Sequence, residues 1–160
     1  RVFNLKNYLE EIILSIQPQL KKTDHQITIE CDENLSMNGF PGALSQIITN
    51  LIMNSIIHAY NPGDQGHISI SVKIKDNKTI LLYTDDGKGM NSRVLSKIFD
   101  PFYTTKRGHG GTGLGLHIVY NIVTQRFKGT ILCKSQPNQG TTFEISLPFT
   151  KEDLASGFIK

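Results

Sequence analysis

Asn50, Asn54 and His58 recur every four residues in a stretch whose other periodic positions are apolar, so on a helix they form one polar line. Carboxamides are costly to bury without partners. A solvent-facing stripe would satisfy them, and so would a hard cation such as magnesium, which takes oxygen ligands and often bridges protein to phosphate. A second cluster is Asp85-Asp86-Gly87-Lys88-Gly89-Met90. An aspartate ending an apolar run can accept a hydrogen bond from an exocyclic amine, and glycines let the chain approach a flat ring with no side chain in the way. The same Asp-Gly pattern also marks an ordinary strand-ending turn. The third is Gly108-His109-Gly110-Gly111-Thr112-Gly113-Leu114-Gly115-Leu116, which runs into a helical pattern. Successive free amides at a helix start, aided by its dipole, make a phosphate site, whereas flexible linkers seldom lead straight into a well-patterned helix. Two familiar phosphate patterns are excluded. No GxxxxGK[ST] occurs, and the GxGxxG of Gly108, Gly110 and Gly113 lacks both a preceding apolar strand and an acid about 20 residues on.

The elements that must position these clusters follow from periodicity. Residues 4 to 20 place Leu5, Leu9, Ile12, Ile13, Ile16 and Leu20 at helical spacing, interrupted near Pro18, so the chain opens in mid-helix pattern, as an excised segment of something longer would. His25 to Cys31 alternates as a strand, and residues 32 to 39 read as turns around a short strand. Pro41 suits a first helical position, and Leu44, Ile47, Ile48, Leu51 and Ile52 make an apolar stripe continuing to Ile56 and Ala59, stopped by Asn61-Pro62-Gly63. Ile68, Ile70, Val72 and Ile74 alternate, the Asp76-Asn77 turn follows, and Thr79 to Thr84 completes a hairpin. A short helix is expected over 92 to 98, then a long loop to Thr112, a length that in compact domains marks a functional lid or disorder. A last helix carries Leu114, Ile118, Val119, Ile122 and Val123, and strands close the chain near 130 to 135 and 141 to 147. This order predicts an α+β fold, a mixed and mostly antiparallel sheet covered on one face by helices.

At 160 residues and 38% apolar content the chain buries one core and is read as one domain, 1–160. The net charge of +3 is too small to indicate a nucleic-acid or membrane surface. Its placement says more, because no acid lies between Asp100 and Glu144 while Lys106, Arg107, Arg126, Lys128 and Lys134 do, a window that would suit a polyphosphate as well as a solvated basic surface. Cys31 and Cys133 sit in strand-like runs without CxxC spacing and read as buried thiols of a reducing compartment. No apolar run approaches the roughly 18 to 20 residues that cross a bilayer.

Taken in order, the segments resemble the catalytic, ATP-binding domain of bacterial sensor histidine kinases, within the wider gyrase-like ATPase superfamily. Asn50-Leu51-Ile52-Met53-Asn54-Ser55 is similar to the family's N box, Asp85 to Met90 to its first glycine box, and Phe99 to Lys106 to its F box. Gly111 to Leu116 is similar to its second glycine box, and Gly140-Thr141-Thr142-Phe143 to its closing strand. The resemblance covers nearly the whole chain. It implies a two-layer α/β sandwich that binds ATP and magnesium, with Asn54, helped by Asn50, on the metal and Asp85 on the adenine amine. Gly87 and Gly89 would flank the base, His58 and Met90 line it, and Thr141 support it from the sheet. Thr104, Thr105, Lys106, Gly111, Thr112 and the amides of Gly113, Leu114, Gly115 and Leu116 would serve the phosphates, with 99 to 113 as a mobile lid.

Two departures qualify it. Hydrolytic relatives carry a glutamate four residues before the metal-binding asparagine; here Asn50 stands there, and an amide is no general base, so phosphotransfer with slow hydrolysis is expected. Ile57 stands where many members carry a phosphate-contacting lysine, a loss that Lys106 or Arg107 would offset. His25, His58, His67, His109 and His117 precede Gln, Ala, Ile, Gly and Ile, and none has the acidic neighbour of the family's phosphoacceptor. The resemblance therefore implies an acceptor histidine on an upstream dimerisation domain, a downstream response regulator, a homodimeric parent with no nucleic-acid partner, and a cytoplasmic domain whose parent can be anchored in the inner membrane. The alternatives are a nucleotide-binding regulatory module or serine kinase of the anti-sigma-factor type, and a gyrase-style hydrolase.

Overall fold

The computed structural model describes residues 1–106 and 113–149. The chain begins with β1 (Val2–Asn4), not a helix, and β1 pairs antiparallel with β3 (Ser36–Asn38) as a separate two-stranded sheet. Three residues are too few for strand alternation to register against the helical pattern that follows. That helix is divided into α1 (Leu5–Ser15), whose N-cap is Asn4 accepting from the N–H of Asn7 at 2.9 Å, and α2 (Gln17–Leu20), which holds Pro18 in its first turn, where a missing N–H costs nothing.

The main sheet runs in the order β2-β4-β5-β7-β6. Its strands are β2 (Gln26–Glu30), β4 (His67–Lys75), β5 (Lys78–Asp85), β6 (Thr130–Ser135) and β7 (Thr141–Pro148). β2 pairs parallel with β4 and every other pair is antiparallel, the mixed sheet expected. Register sets the inner face in rows: Ile29, Ile70, Tyr83, Phe143 and Cys133 across all five strands, then Val72, Leu81, Ile145 and Ile131 across the four that continue past the end of β2. Onto these pack Leu44, Ile47, Ile48, Leu51 and Ile52 of α3 (Pro41–Asn54), all fully buried, with Leu5, Leu9, Leu116 and Val119 completing the core. The opposite face carries Ser69, Thr84, Thr142 and Lys134 across one row, and among the described residues no helix packs on it, so the described helices lie on one face.

Three helical expectations change. The helix read as unbroken to Ala59 becomes a π-helical turn over Ser55–Ala59, and α5 (Gly115–Asn121) likewise passes into a π-helical turn at Ile122–Arg126. One extra residue per turn leaves the apolar stripe intact, so a 3.6-residue period cannot reveal it. The helix expected over 92–98 is only α4 (Ser92–Leu95), capped by Asn91 accepting from the N–H of Val94 at 2.9 Å. Beyond it the N–H of Lys97 reaches back only three residues, to Val94 O at 3.0 Å, and the chain tightens into turns.

Candidate functional site

β5 ends inside the protein at Asp85, which is 3% exposed. Its carboxylate accepts the hydroxyl of Ser55 on Oδ2 at 2.8 Å and the N–H of Gly87 on Oδ1 at 3.0 Å, and takes a further hydrogen bond from the Thr141 amide. Burial pushes its pKa up against these bonds, which pull it down. Ser55, the first residue of the π-helical turn, also lies 2.7 Å from the hydroxyl of Tyr83, which donates to Leu51 O at 3.0 Å. The widened turn thus faces two hydroxyls and a carboxylate toward one another in the core, a polar group that sequence reasoning reached only at Asp85.

From Asp85 the first glycine loop is fastened on both sides. Lys88 N–H donates to Ala59 O at 2.8 Å, Gly140 N–H to Gly87 O at 3.0 Å and Asn138 N–H to Lys88 O at 2.7 Å. A Cβ at Gly87 would lie 2.5 Å from both Cβ and O of Ala59, and one at Gly89, whose φ is +67°, would run into Gln136 O. These glycines are required by neighbouring backbone, a tighter constraint than room for a ring. Asp86 is held below the ordinary carboxylate pKa: burial raises it, but the N–H of His67 and the hydroxyl of Tyr60, both donating to Oδ1 at 2.8 Å, outweigh that and lower it.

A cleft of about 500 Å³ opens between α3, α4 and this loop, lined by Asn54, His58, Gly89, Met90, Thr104, Thr105, Lys106 and Leu116 among the expected residues. Lys88 and Tyr103, which lie inside the first glycine box and the F box without having been assigned a task, also line it, as do Asn91, Val94, Ile98, Pro137 and Asn138, which no motif singled out. A smaller cavity of about 280 Å³ shares Asn54, His58 and Leu116 and adds Asn50, Gly113 and Gly115. Asp85, Gly87 and Thr141 stand outside both linings, buried where β5 and β7 meet. Leu114 caps α5. Gly111 and Thr112, with Arg107 and the glycines of 108–110, lie outside the described residues. At the ends of the expected lid, the N–H of Phe102 donates to Gly113 O at 2.8 Å.

Electrostatics favour an anion. His58 is held below the ordinary imidazole pKa by burial, then by Lys106 and Lys88, so its ring is neutral near pH 7, with Nδ1 3.2 Å from Thr105 Oγ1. The Asn50 carboxamide donates through Nδ2 to Gly115 O at 3.3 Å, leaving Oδ1 as its acceptor, and Asn54 has no side-chain hydrogen bond to a described residue. Among the described residues no group of three His, Cys, Asp or Glu could hold a metal. The donor set therefore suits a cation that keeps water and phosphate oxygens, as magnesium does.

The basic window divides. Lys106 reaches the cleft, but Arg126 stacks over Phe40 at 4.6 Å and lines a separate cavity with Lys128, and Lys134 points from the sheet face opposite the described helices. Both cysteines are free and half-buried. Burial raises each thiol, Cys133 to about 12.

The sheet order, the one-sided helical layer and the cleft at the strand ends define a two-layer α+β sandwich of the ATP-binding class. Residues 39–151 match the family described as histidine kinase-, DNA gyrase B-, and HSP90-like ATPase, and the chain belongs to that family. Similar proteins include sporulation kinase A of Bacillus subtilis, 33% identical over 91% of this chain and 23% of that protein, and sensor histidine kinase ZraS of Salmonella typhimurium, 35% identical over 91% and 30%. The chain thus spans less than a third of these relatives. Among solved structures, the catalytic domain of histidine kinase ThkA in a nucleotide-free form superposes with a TM-score of 0.80 at 29% identity, covering 95% of this chain and 97% of that one. ThkA in complex with response regulator protein TrrA, at 24% identity, TM-score 0.77, and coverage of 95% of this chain and 42% of that one, shows likeness of fold alone.

Proposed function

We propose that the chain binds ATP with magnesium and donates the γ-phosphate to a histidine on a separate dimerisation domain, in two-component signal transduction. The observation that carries this reading is Asn54, a half-buried carboxamide without a hydrogen-bond partner among the described residues, on the wall shared by both cavities. Its polar atoms therefore face the cleft, where water or a ligand completes them. Asn54, helped by Oδ1 of Asn50, would hold a magnesium ion, which supplies positive charge to the phosphates.

Other residues take defined tasks. Asp85 accepts the base amine; Met90 and the neutral His58 ring line the base; Lys106 and Lys88 bring positive charge to the cleft. Phosphoryl transfer asks of a protein mainly position and charge, which these side chains provide. Asn50 cannot take a proton from water, which supports transfer over hydrolysis. The acceptor histidine and the dimerisation domain belong to the parent protein in this reading, and the response regulator is its downstream partner, as TrrA is found in complex with ThkA, a protein of the same fold. No helix among the described residues is long and apolar enough to cross a membrane; a cytoplasmic location under a homodimeric, membrane-anchored parent is part of the proposal.

The test supplies a helical-hairpin acceptor domain of a sensor kinase with labelled ATP and this chain, and assays acid-labile phosphohistidine. Label on the acceptor supports the reading. Acid-stable phosphoserine, or none under conditions where ATP binds, would replace it with the serine-kinase or regulatory alternative.

A further inference from the structure

We propose that Ser135 is a positioning residue that makes the base pocket select a purine with an exocyclic amine over one with a carbonyl at the same position. The inference rests on the reading that Asp85 and Thr141 face the base, and it assigns to the end of β6 a task that no motif indicated.

The Ser135 hydroxyl joins three segments. Oγ donates to Gly140 O at 2.8 Å, accepts the N–H of Met90 at 2.9 Å and lies 2.9 Å from Oγ1 of Thr141. A serine hydroxyl has one proton, and a carbonyl can only accept. The proton of Ser135 is committed to Gly140, so in the short contact with Thr141 it is Thr141 that donates. Thr141 then offers a ligand lone pairs and no proton.

Asp85 is in the same condition. It sits directly opposite Thr141 in the β5–β7 register, with Ser55 Oγ and Gly87 N–H already donating to its two oxygens. The register thus sets two acceptors side by side, 7% and 3% exposed, at the edge of the cleft that Met90 and Gly89 line. An amine brings protons to both; a carbonyl would set lone pairs against lone pairs. Ser135 further holds the amide of Met90, whose side chain lines the cleft, so one hydroxyl fixes both the polarity of the acceptor and the position of the apolar wall.

The test compares dissociation constants of ATP and inosine triphosphate, with magnesium, for the wild-type chain and Ser135→Ala, Thr141→Val, the double variant and Asp85→Asn, each checked by thermal melting. In Ser135→Ala the Thr141 proton is free to turn to the ligand, and the preference for ATP should shrink about tenfold, the worth of one hydrogen bond. Thr141→Val should shrink it as well, and adding Ser135→Ala to that background should change nothing more. A loosened loop without a polarity role would weaken both nucleotides alike and leave the ratio at its wild-type value; that result overturns the proposal. If Ser135→Ala does not fold, Thr141→Val decides, and an unchanged ratio there overturns it equally. Asp85→Asn separates the two layers: if it too leaves the ratio unchanged, the base-pocket reading falls and takes Ser135 with it, whereas a ratio collapsed by Asp85→Asn and untouched by Ser135→Ala rejects Ser135 alone.

Discussion

Asn54 and Asp85 divide the proposed recognition between metal and base, so their removal should fail in different ways. Asn54→Ala should leave ATP binding without magnesium nearly unchanged and erase the gain that magnesium brings, whereas Asp85→Ala should weaken ATP at any magnesium level; paired calorimetric titrations distinguish the two. Asp85 accepts an amine best when ionised, because protonation turns one of its two oxygens into a donor, and burial raises its pKa above the ordinary 3.8. Nucleotide affinity should therefore be complete well above that raised value and decline as pH falls through it, beginning at a higher pH than an exposed aspartate would show. A flat affinity profile from neutral pH down to the onset of acid unfolding would remove Asp85 from the base. Cys133 offers an independent check on the inner sheet face. With its thiol raised to about 12, about 10⁻⁴ of it is thiolate at pH 8, so alkylation should run about a thousandfold slower than for an ordinary cysteine, rising to the ordinary rate in denaturant.

At the scale of elements, the π-helical turn Ser55–Ala59 is what lets α3 serve both core and cleft. Its Ala59 carbonyl receives Lys88, its Ser55 hydroxyl receives the core polar group, and Gly87 packs without a Cβ against it. Gly87→Ala should overpack this junction and cost about 1–3 kcal/mol, a fall in Tm of a few degrees, roughly 2–4 °C per kcal/mol at this size. The stripes of α3 and α5, the β4–β5 hairpin and the closing strands were all legible, because burial on one face imposes a period that a sequence displays. The widened turns were not, since Ile56 and Ala59 in one and Ile122 and Val123 in the other continue the apolar order while the backbone changes its hydrogen bonding. β1 was hidden by its length, and the true end of α4 by having only Val94, Leu95 and Ile98 to define a face. Of the site, the carboxamide line and the glycine loop could be read from spacing, but Asn91, Pro137 and Asn138 reach the cleft through tertiary folding that no local pattern encodes.

For the whole molecule, the proposal makes the chain a unit that holds nucleotide for an acceptor histidine on another domain. Incubated alone with labelled ATP, the chain should bind the nucleotide and yield no phosphohistidine, and its steady-state release of inorganic phosphate should be slow; stable label recovered on any of its five histidines, or brisk turnover, would contradict the proposed division of labour.

The bond between Phe102 N–H and Gly113 O carries a consequence for engineering. It closes the neck of the segment between F box and α5, so the spacing of the walls on either side is set at the neck and not by how much chain the segment contains. Because closure entropy grows only with the logarithm of length, about 0.6 kcal/mol per doubling, a reporter peptide inserted between these two residues should leave the fold on either side of the neck in place, as an unchanged Tm would show.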